Sequence, residues 1–138
     1  MPRWLVDGMN VVGARPDGWW RDRTGAMARL TADLDGFARE TGDPVTVVFD
    51  GRARDVPAER VEVRFATRRG ANAADDDIAA MAAADADPAT LRVVTSDATL
   101  ANRVAAAGAS TVGAGEFRRR LDELAGKEPG GRGRSSGS

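Results

Sequence analysis

Short apolar runs alternate with amphipathic stretches along this chain, and this alternation constrains the fold more than any other feature. Five runs are predicted to be strands: residues 4–6, 45–49, 61–65, 91–94 and 110–112. The run VTVVF is apolar or β-branched throughout, which is typical of a strand buried on both faces, whereas residues 61–65 suit an edge. Strands that alternate with helices predict an α/β domain with a central, mainly parallel sheet of about five strands and helices on both faces.

The intervening stretches show the 3.6-residue apolar period of helices. Four helices are predicted, around Met27–Ala38, Ile78–Ala82, Leu100–Val104 and Phe117–Leu124. Gly42 ends the first and Gly108 the third, as glycine commonly does after a helix. The last residues, read as KEPGGRGRSSGS, lack apolar positions and cannot build a core. We therefore predict one folded domain over residues 1–125 and a disordered Gly/Ser/Arg tail over residues 126–138.

The chain has no cysteine and no histidine, which narrows the chemistry available to it. Disulfides, thiol nucleophiles, the usual zinc sites and an imidazole base are excluded. Catalysis would rest on carboxylates, hydroxyls, arginine or a bound cation, and hard oxygen ligands suit Mg²⁺ or Mn²⁺. The net charge of −1 gives no global basic field, so any nucleic-acid site must be a local patch.

No apolar run reaches the roughly 20 residues that span a bilayer. The N-terminus enters a predicted strand at once, which is not the pattern of a signal peptide. We expect a cytoplasmic protein with no membrane partner, and the sequence leaves monomer and homodimer equally open.

Aspartates follow three of the predicted strands, at Asp7, Asp50 and Asp97, and a further run, Asp75–Asp77, opens a predicted helix. The carboxyl ends of parallel strands share one edge of a sheet, where ligands bind. Successive helix residues turn by about 100°, so Asp75, three residues before the buried Ile78, should face inward. Asp76 should lie at the flank of that face, and Asp77 should be mostly solvated.

Each of these aspartates also has a structural interpretation, as a turn residue after a strand or as a helix cap. Turns and helix caps explain less well why several aspartates are predicted at the same edge of the sheet. Two carboxylates about 5 Å apart repel by about 3 kcal/mol at an effective dielectric constant near 20, unless a cation or a shared proton relieves them. Asn10 and Ser96 lie beside the acids, where they would contact substrate, orient an acid, or only cap a turn.

Four segments, WLVDGMNVVG, VVFDG, the ADDDI of residues 74–78 and VVTSD, resemble in order the NYN domains of the PIN-like nuclease superfamily. The chain is most similar to the YacP-like branch, over roughly residues 3–124. Met9 and Asp77 depart from that pattern, since relatives often carry aromatic residues there.

This resemblance implies a PIN-like fold and metal-dependent hydrolysis of RNA phosphodiester bonds. Attack by metal-activated water would leave 5′-phosphate and 3′-hydroxyl ends. Endonucleolytic action is expected, while the sequence leaves exonucleolytic action open. The resemblance also implies that Asp7, Asp75 and Asp97 are the catalytic, metal-binding acids. Asp76 would complete the metal set, and Asp50, Asn10 and Ser96 would support it. Mg²⁺ or Mn²⁺ would be the cofactor.

RNA held beside such acids needs cationic groups, and we expect them in loops at the same edge: Arg15, Arg52, Arg68 and Arg69. Trp19 and Trp20 would stack on a base or pack at the start of the first long helix.

Other readings of the strand-end acids fit less well. A receiver domain needs a lysine near its acids, whereas the sole lysine is Lys127 in the tail. A dinucleotide-binding domain needs a glycine-rich turn after the first strand, which Gly8 and Gly13 do not supply. A non-catalytic module that binds RNA or a protein remains the alternative.

Overall fold

The computed structural model describes residues 1–68, 70 and 72–126. Its strands are β1 (Arg3–Asp7), β2 (Val45–Phe49), β3 (Glu62–Phe65), β4 (Leu91–Val94) and β5 (Ser110–Val112). They form one parallel sheet in the order β3-β2-β1-β4-β5. The strand order changes direction between β1 and β4, and the crevice above such a switch point is where ligands bind in open α/β sheets. The predicted fold class and the edge position of β3 are confirmed.

The described residues form five α-helices between or after these strands: α1 (Gly8–Gly13), α2 (Arg23–Thr41), α3 (Ala73–Ala84), α4 (Ala98–Ala106) and α5 (Ala114–Gly126). Short 3₁₀ turns cover Trp19–Arg21 and Pro88–Thr90. Helix α1 is a new finding, because six residues are too few to display a helical period. Helix α5 reaches one residue past the predicted domain end, and the predicted tail from residue 127 lies outside the described residues.

The helices cover both faces of the sheet, as predicted. Residues of α1, α2 and α5 form a core on one face, and residues of α3 and α4 form a second core on the other. An aromatic cluster of Trp4, Phe37 and Phe117 fastens α2 and α5 to β1, with ring centroids 5.2 to 5.5 Å apart. Such pairs stabilise beyond the area that they bury, so this cluster helps to hold α2 and α5 on the sheet.

The chain passes from β1 into α1 without a loop, and Gly8 makes this close turn sterically feasible. A Cβ at Gly8 would overlap the ring of Phe49 and lie 3.0 Å from Cγ2 of Val47. Helix α1 can therefore begin directly on the sheet, which leaves Asp7 as the last residue of β1 and the first to face the crevice.

A buried acid organises the loop before β3. Asp35 on α2 is 7% exposed, and its carboxylate accepts hydrogen bonds from the backbone N–H groups of Glu59, Arg60 and Val61 at 2.9 to 3.0 Å. Three donors satisfy most of the acceptor capacity of a carboxylate. These three hydrogen bonds fix where β3 joins the sheet. Asp35 itself lies on a helix, outside the cluster of aspartates at the strand ends.

Candidate active site at the carboxyl edge of the sheet

Asp7 lies at the switch point of the sheet and is almost completely buried. Its side chain is 2% exposed, and Thr95, which follows β4, donates a hydroxyl hydrogen bond to Asp7 Oδ2 at 3.1 Å. Across the described residues, no arginine forms an ion pair with Asp7. A buried carboxylate with so few partners is unfavourable in its charged form.

The environment of Asp7 brings the pKa of its carboxyl group into the neutral pH range. Burial, followed by the negative charges of Asp75 and Asp50, raises the pKa of Asp7 to about 7, against the opposing effect of hydrogen bonds from the Thr95 hydroxyl and the Asn10 backbone. Burial, followed by the charge of Asp97, likewise raises the pKa of Asp75. A shift of this kind in a crevice is typical of a functional site. The structure therefore brings Asp7, Asp50, Asp75 and Asp97 within electrostatic reach of one another.

Two of these acids also bind the backbone at helix starts. Asp50 accepts a hydrogen bond from Ala74 N at 3.0 Å, and Asp97 caps α4 by accepting one from Leu100 N at 2.9 Å. The structural interpretation of these two aspartates is thus present alongside their place in the acidic cluster. Negative charge at a helix start is stabilised by the helix dipole, which helps the fold to retain both acids.

The aspartate run of α3 separates into three environments. Asp75 faces the acidic cluster, as its helical phase predicts. Asp76 binds Arg68 and Arg103, the latter at 3.0 Å, and these arginines lower the pKa of Asp76. The expectation that Asp77 is mostly solvated is wrong, because Asp77 is half-buried and accepts hydrogen bonds from Thr67 N and Oγ1 at 2.7 and 2.9 Å. This bond fastens α3 to the segment after β3.

Asn10 and Ser96 link the first acidic segment to the last helix. Asn10 Oδ1 accepts a hydrogen bond from Ser96 N at 2.9 Å, and Ser96 Oγ accepts one from Ala114 N at 2.9 Å. Thr95 also accepts a bond from Asp97 N at 3.1 Å while donating to Asp7. From the sequence, Thr95 is a candidate to bind phosphate or to cap a helix. Its contact with Asp7 was not predicted, because it depends on the pairing of β1 with β4.

The arginines predicted to hold RNA occupy different settings. Arg15 binds Asp122 of α5, whereas Arg68 binds Asp76. Arg52 is exposed in the loop after β2, and Arg69 lies outside the described residues. No sequence signal identifies Arg103 of α4, because its contact with Asp76 joins residues 27 positions apart in the chain.

The donor set has the chemistry of a hard-cation site, since it offers carboxylate, amide and hydroxyl oxygens. Mutual repulsion among its acids is the condition that a cation relieves. Among residues 1–68, 70 and 72–126, however, no three acidic side chains converge closely enough to share one ion. The donors thus match Mg²⁺ or Mn²⁺ in type, while shared coordination requires side-chain rotation, for instance of Asp97 away from its helix cap.

A parallel sheet in this order, with acids gathered above its switch point, is the arrangement that the resemblance to PIN-like NYN domains predicts. The model of the YacP-like NYN domain matches residues 4–129, so the chain belongs to this family, which is a nuclease family.

Two solved structures share the fold over 90% of this chain, each with a TM-score of 0.75. Rae1 (YacP) from Bacillus subtilis is 28% identical, with 75% of its chain covered. A tryptophan-to-leucine mutant of the same protein is 31% identical, with 77% covered. Comparison with curated proteins finds no match. Of the helices in the described part of the chain, none has the length and apolar character to cross a membrane.

Proposed function

We propose that this protein is a metal-dependent ribonuclease that cleaves RNA endonucleolytically and leaves 5′-phosphate and 3′-hydroxyl ends. The observation that carries the proposal is Asp7, which is buried at the switch point beside Asp75 with a pKa raised to about 7. The nuclease family and the fold shared with Rae1 support it. We expect the protein to act in the cytoplasm.

In the proposed mechanism, Asp7, Asp75 and Asp97 would hold Mg²⁺ or Mn²⁺, with Asp76 at the flank. A divalent cation at such a site lowers the pKa of water and neutralises charge that develops on a phosphate. Thr95 keeps Asp7 Oδ2 in a fixed orientation. Asp50 holds the start of α3 and so sets the position of Asp75. Asn10 orders the segment that presents Asp97, because its amide oxygen binds Ser96 N.

We propose that arginines around the acids hold the RNA backbone. Arg68 and Arg103 share Asp76, so each has guanidinium N–H groups that remain available for a phosphate. Arg52 is exposed after Asp50 and forms no ion pair within the described part of the chain. Arg15 shares Asp122 with Arg118. Because Arg118 also binds Asp33, two carboxylates match these two arginines, and Arg15 is expected to contribute less. Arg69 is retained as a candidate from the sequence.

The test incubates the full chain with labelled single-stranded and structured RNAs in Mn²⁺, Mg²⁺ or EDTA. We expect cleavage that requires metal and that Asp7→Asn and Asp97→Asn each abolish. Asp87→Asn, at the opposite edge of the sheet, is the matched control for the charge change and should cleave normally. Cleavage that persists in EDTA would contradict the metal mechanism.

The RNA contacts are tested by salt dependence. Each phosphate contact on single-stranded RNA contributes about 0.7 to the slope of log affinity against log salt. Arg52→Ala and Arg68→Ala should reduce the slope by about this amount, and Arg15→Ala should reduce it less. Equal slopes for all three variants would remove this ranking.

A non-catalytic RNA-binding module is the second candidate, and one observation favours it. Asp50, Asp97 and Ser96 are each bound to a backbone N–H, so part of the cluster is already engaged in holding helices. Tight RNA binding without cleavage in any metal would establish this alternative.

A further inference from the structure

Two adjacent tryptophans before α2 have opposite environments. Trp19 is half-buried against the core shared by α1, α2 and α5, whereas Trp20 is 58% exposed. Within the described residues, Trp20 and the terminal Met1 are the exposed large hydrophobic side chains. The two rings meet edge to face, with centroids 6.1 Å apart and planes at 85°. Trp19 therefore packs between Trp20 and the core, and the Trp20 ring keeps a face exposed to solvent.

The topology places Trp20 at the same edge as the acids. Helix α2 runs from the carboxyl end of β1 back to the amino end of β2, so its first residues lie at the carboxyl edge. Its 19 residues span about 28 Å and the five residues of β2 about 17 Å, so the start of α2 extends beyond the sheet. Arg54 Nη1 donates to Thr24 Oγ1 at 2.8 Å, which ties this start to the loop after Asp50.

The surroundings of Trp20 carry positive charge. The Arg21 guanidinium lies 5.9 Å from the centre of the Trp20 ring, and that of Arg23 lies 5.5 Å from the Trp19 ring. In the part of the chain that the structure describes, Arg21, Arg23, Arg52 and Arg54 form no ion pair with a carboxylate. Arginines beside an open aromatic face are the combination that binds single-stranded nucleic acid, by stacking on a base and neutralising the flanking phosphates.

We propose that Trp20 is a base-stacking site that holds one unpaired RNA base at the wall of the crevice, with Arg21 and Arg52 on the adjoining phosphates. The proposal rests on the proposed function for its substrate class. It adds that the substrate must be single-stranded at this point, because a base within a duplex has no free face to offer. Because the contact is to a ring face, the site discriminates little among the four bases.

The test measures RNA binding in EDTA, where no cleavage occurs, with the full chain carrying Asp7→Asn. The probes are a labelled oligouridylate of about ten nucleotides and an abasic ribose-phosphate oligomer of equal length. Trp20→Ala should weaken oligouridylate binding by about 5- to 100-fold, and Trp20→Phe should restore most of the loss. Neither variant should change the affinity for the abasic oligomer, whose phosphates are intact.

Each other outcome overturns the proposal. Equal affinity of Trp20→Ala and its parent for oligouridylate excludes stacking, and an equal loss on both probes indicates a disturbed fold or a lost charge contact instead. Self-association that Trp20→Ala abolishes, with RNA binding unchanged, would assign the ring to an interface between two copies of this chain.

The outcomes separate this site from the proposed function. If Trp20→Ala weakens oligouridylate binding but the wild-type chain cleaves in no metal, the ribonuclease proposal fails and the base site stands. If the wild-type chain cleaves RNA and Trp20→Ala leaves both KM and affinity unchanged, the base site fails and the ribonuclease proposal stands.

Discussion

Among the residues that the structure describes, two aspartates, Asp7 and Asp35, are buried, and their hydrogen-bond surroundings differ. Asp35 receives three backbone N–H groups at 2.9 to 3.0 Å and fixes a loop. Asp7 accepts a hydrogen bond from the Thr95 hydroxyl at 3.1 Å and a backbone contact from Asn10, and it lies within the fields of Asp75 and Asp50. A buried carboxylate that serves the fold is supplied with donors, because the charged form otherwise destabilises the native state. A buried carboxylate with few donors keeps oxygen lone pairs that are free to bind a cation.

The largest expected effect of this difference is on activity. If the proposed metal mechanism holds, Asp7→Asn should lower cleavage by about 10³-fold, because it removes a proposed metal ligand and a bound cation stabilises the transition state by several kcal/mol. Asp35→Asn, the same chemical change at the other buried aspartate, should leave cleavage by the folded protein within a few-fold of wild type. Single-turnover kinetics with labelled RNA measure both, and similar losses in the two variants would end the distinction.

The next largest effect is on the pH dependence of stability. The pKa of Asp7 is raised from near 3.9 in the unfolded chain to about 7 in the fold, so the folded state binds this proton more tightly. Its stabilising contribution is fully present below about pH 4 and is lost as pH rises through about 7, by roughly 4 kcal/mol at most. The stability of the Asp7→Asn variant should not decrease in this way as pH rises.

Urea unfolding without metal, from pH 4 to pH 8, measures the difference between wild type and variant, which cancels the other titrating groups. We expect the free energy of unfolding of Asp7→Asn to increase relative to that of the wild type as pH rises. A constant difference would show that Asp7 is not protonated in this range. At pH 8, Mn²⁺ should raise the melting temperature of the wild type more than that of Asp7→Asn.

A smaller effect is expected on stability at Asp35. Asp35→Asn replaces a carboxylate oxygen by an NH₂ group that cannot accept, and it should destabilise the fold by about 1–3 kcal/mol. Hydrogen exchange should then increase at the amides of Glu59, Arg60 and Val61. Unchanged protection there would mean that the loop is held by other contacts.

The smallest effect concerns two buried threonines. Thr95→Val removes the hydroxyl that orients Asp7 and should lower cleavage about tenfold, since groups that orient ligands typically contribute at that level or above. Thr31→Val is the matched control, because the buried Thr31 hydroxyl donates to Met27 O within α2. It should alter stability alone. Equal cleavage by Thr95→Val and Thr31→Val would show that Asp7 is oriented without Thr95.

The sequence predicts the five strands and four longer helices because each has a local period, and helical phase correctly turns Asp75 toward the cluster. Helix α1 is too short to carry such a period. The bond from Thr67 to Asp77 joins groups ten residues apart, and no periodic pattern encodes such a pairing.

The sequence by itself determined the alternation of strands and helices, the aspartates at strand ends and the absence of histidine, because these are properties of residue order and type. Only the tertiary structure decided that Thr95 orients Asp7, that Asp76 is shared by two arginines, and that Trp19 packs while Trp20 remains open. Donors, charges and exposure arise from elements distant in the chain, and the register of the sheet brings those elements together. The same residue type, aspartate, therefore fastens a loop at one buried position and has a raised pKa beside other acids at another.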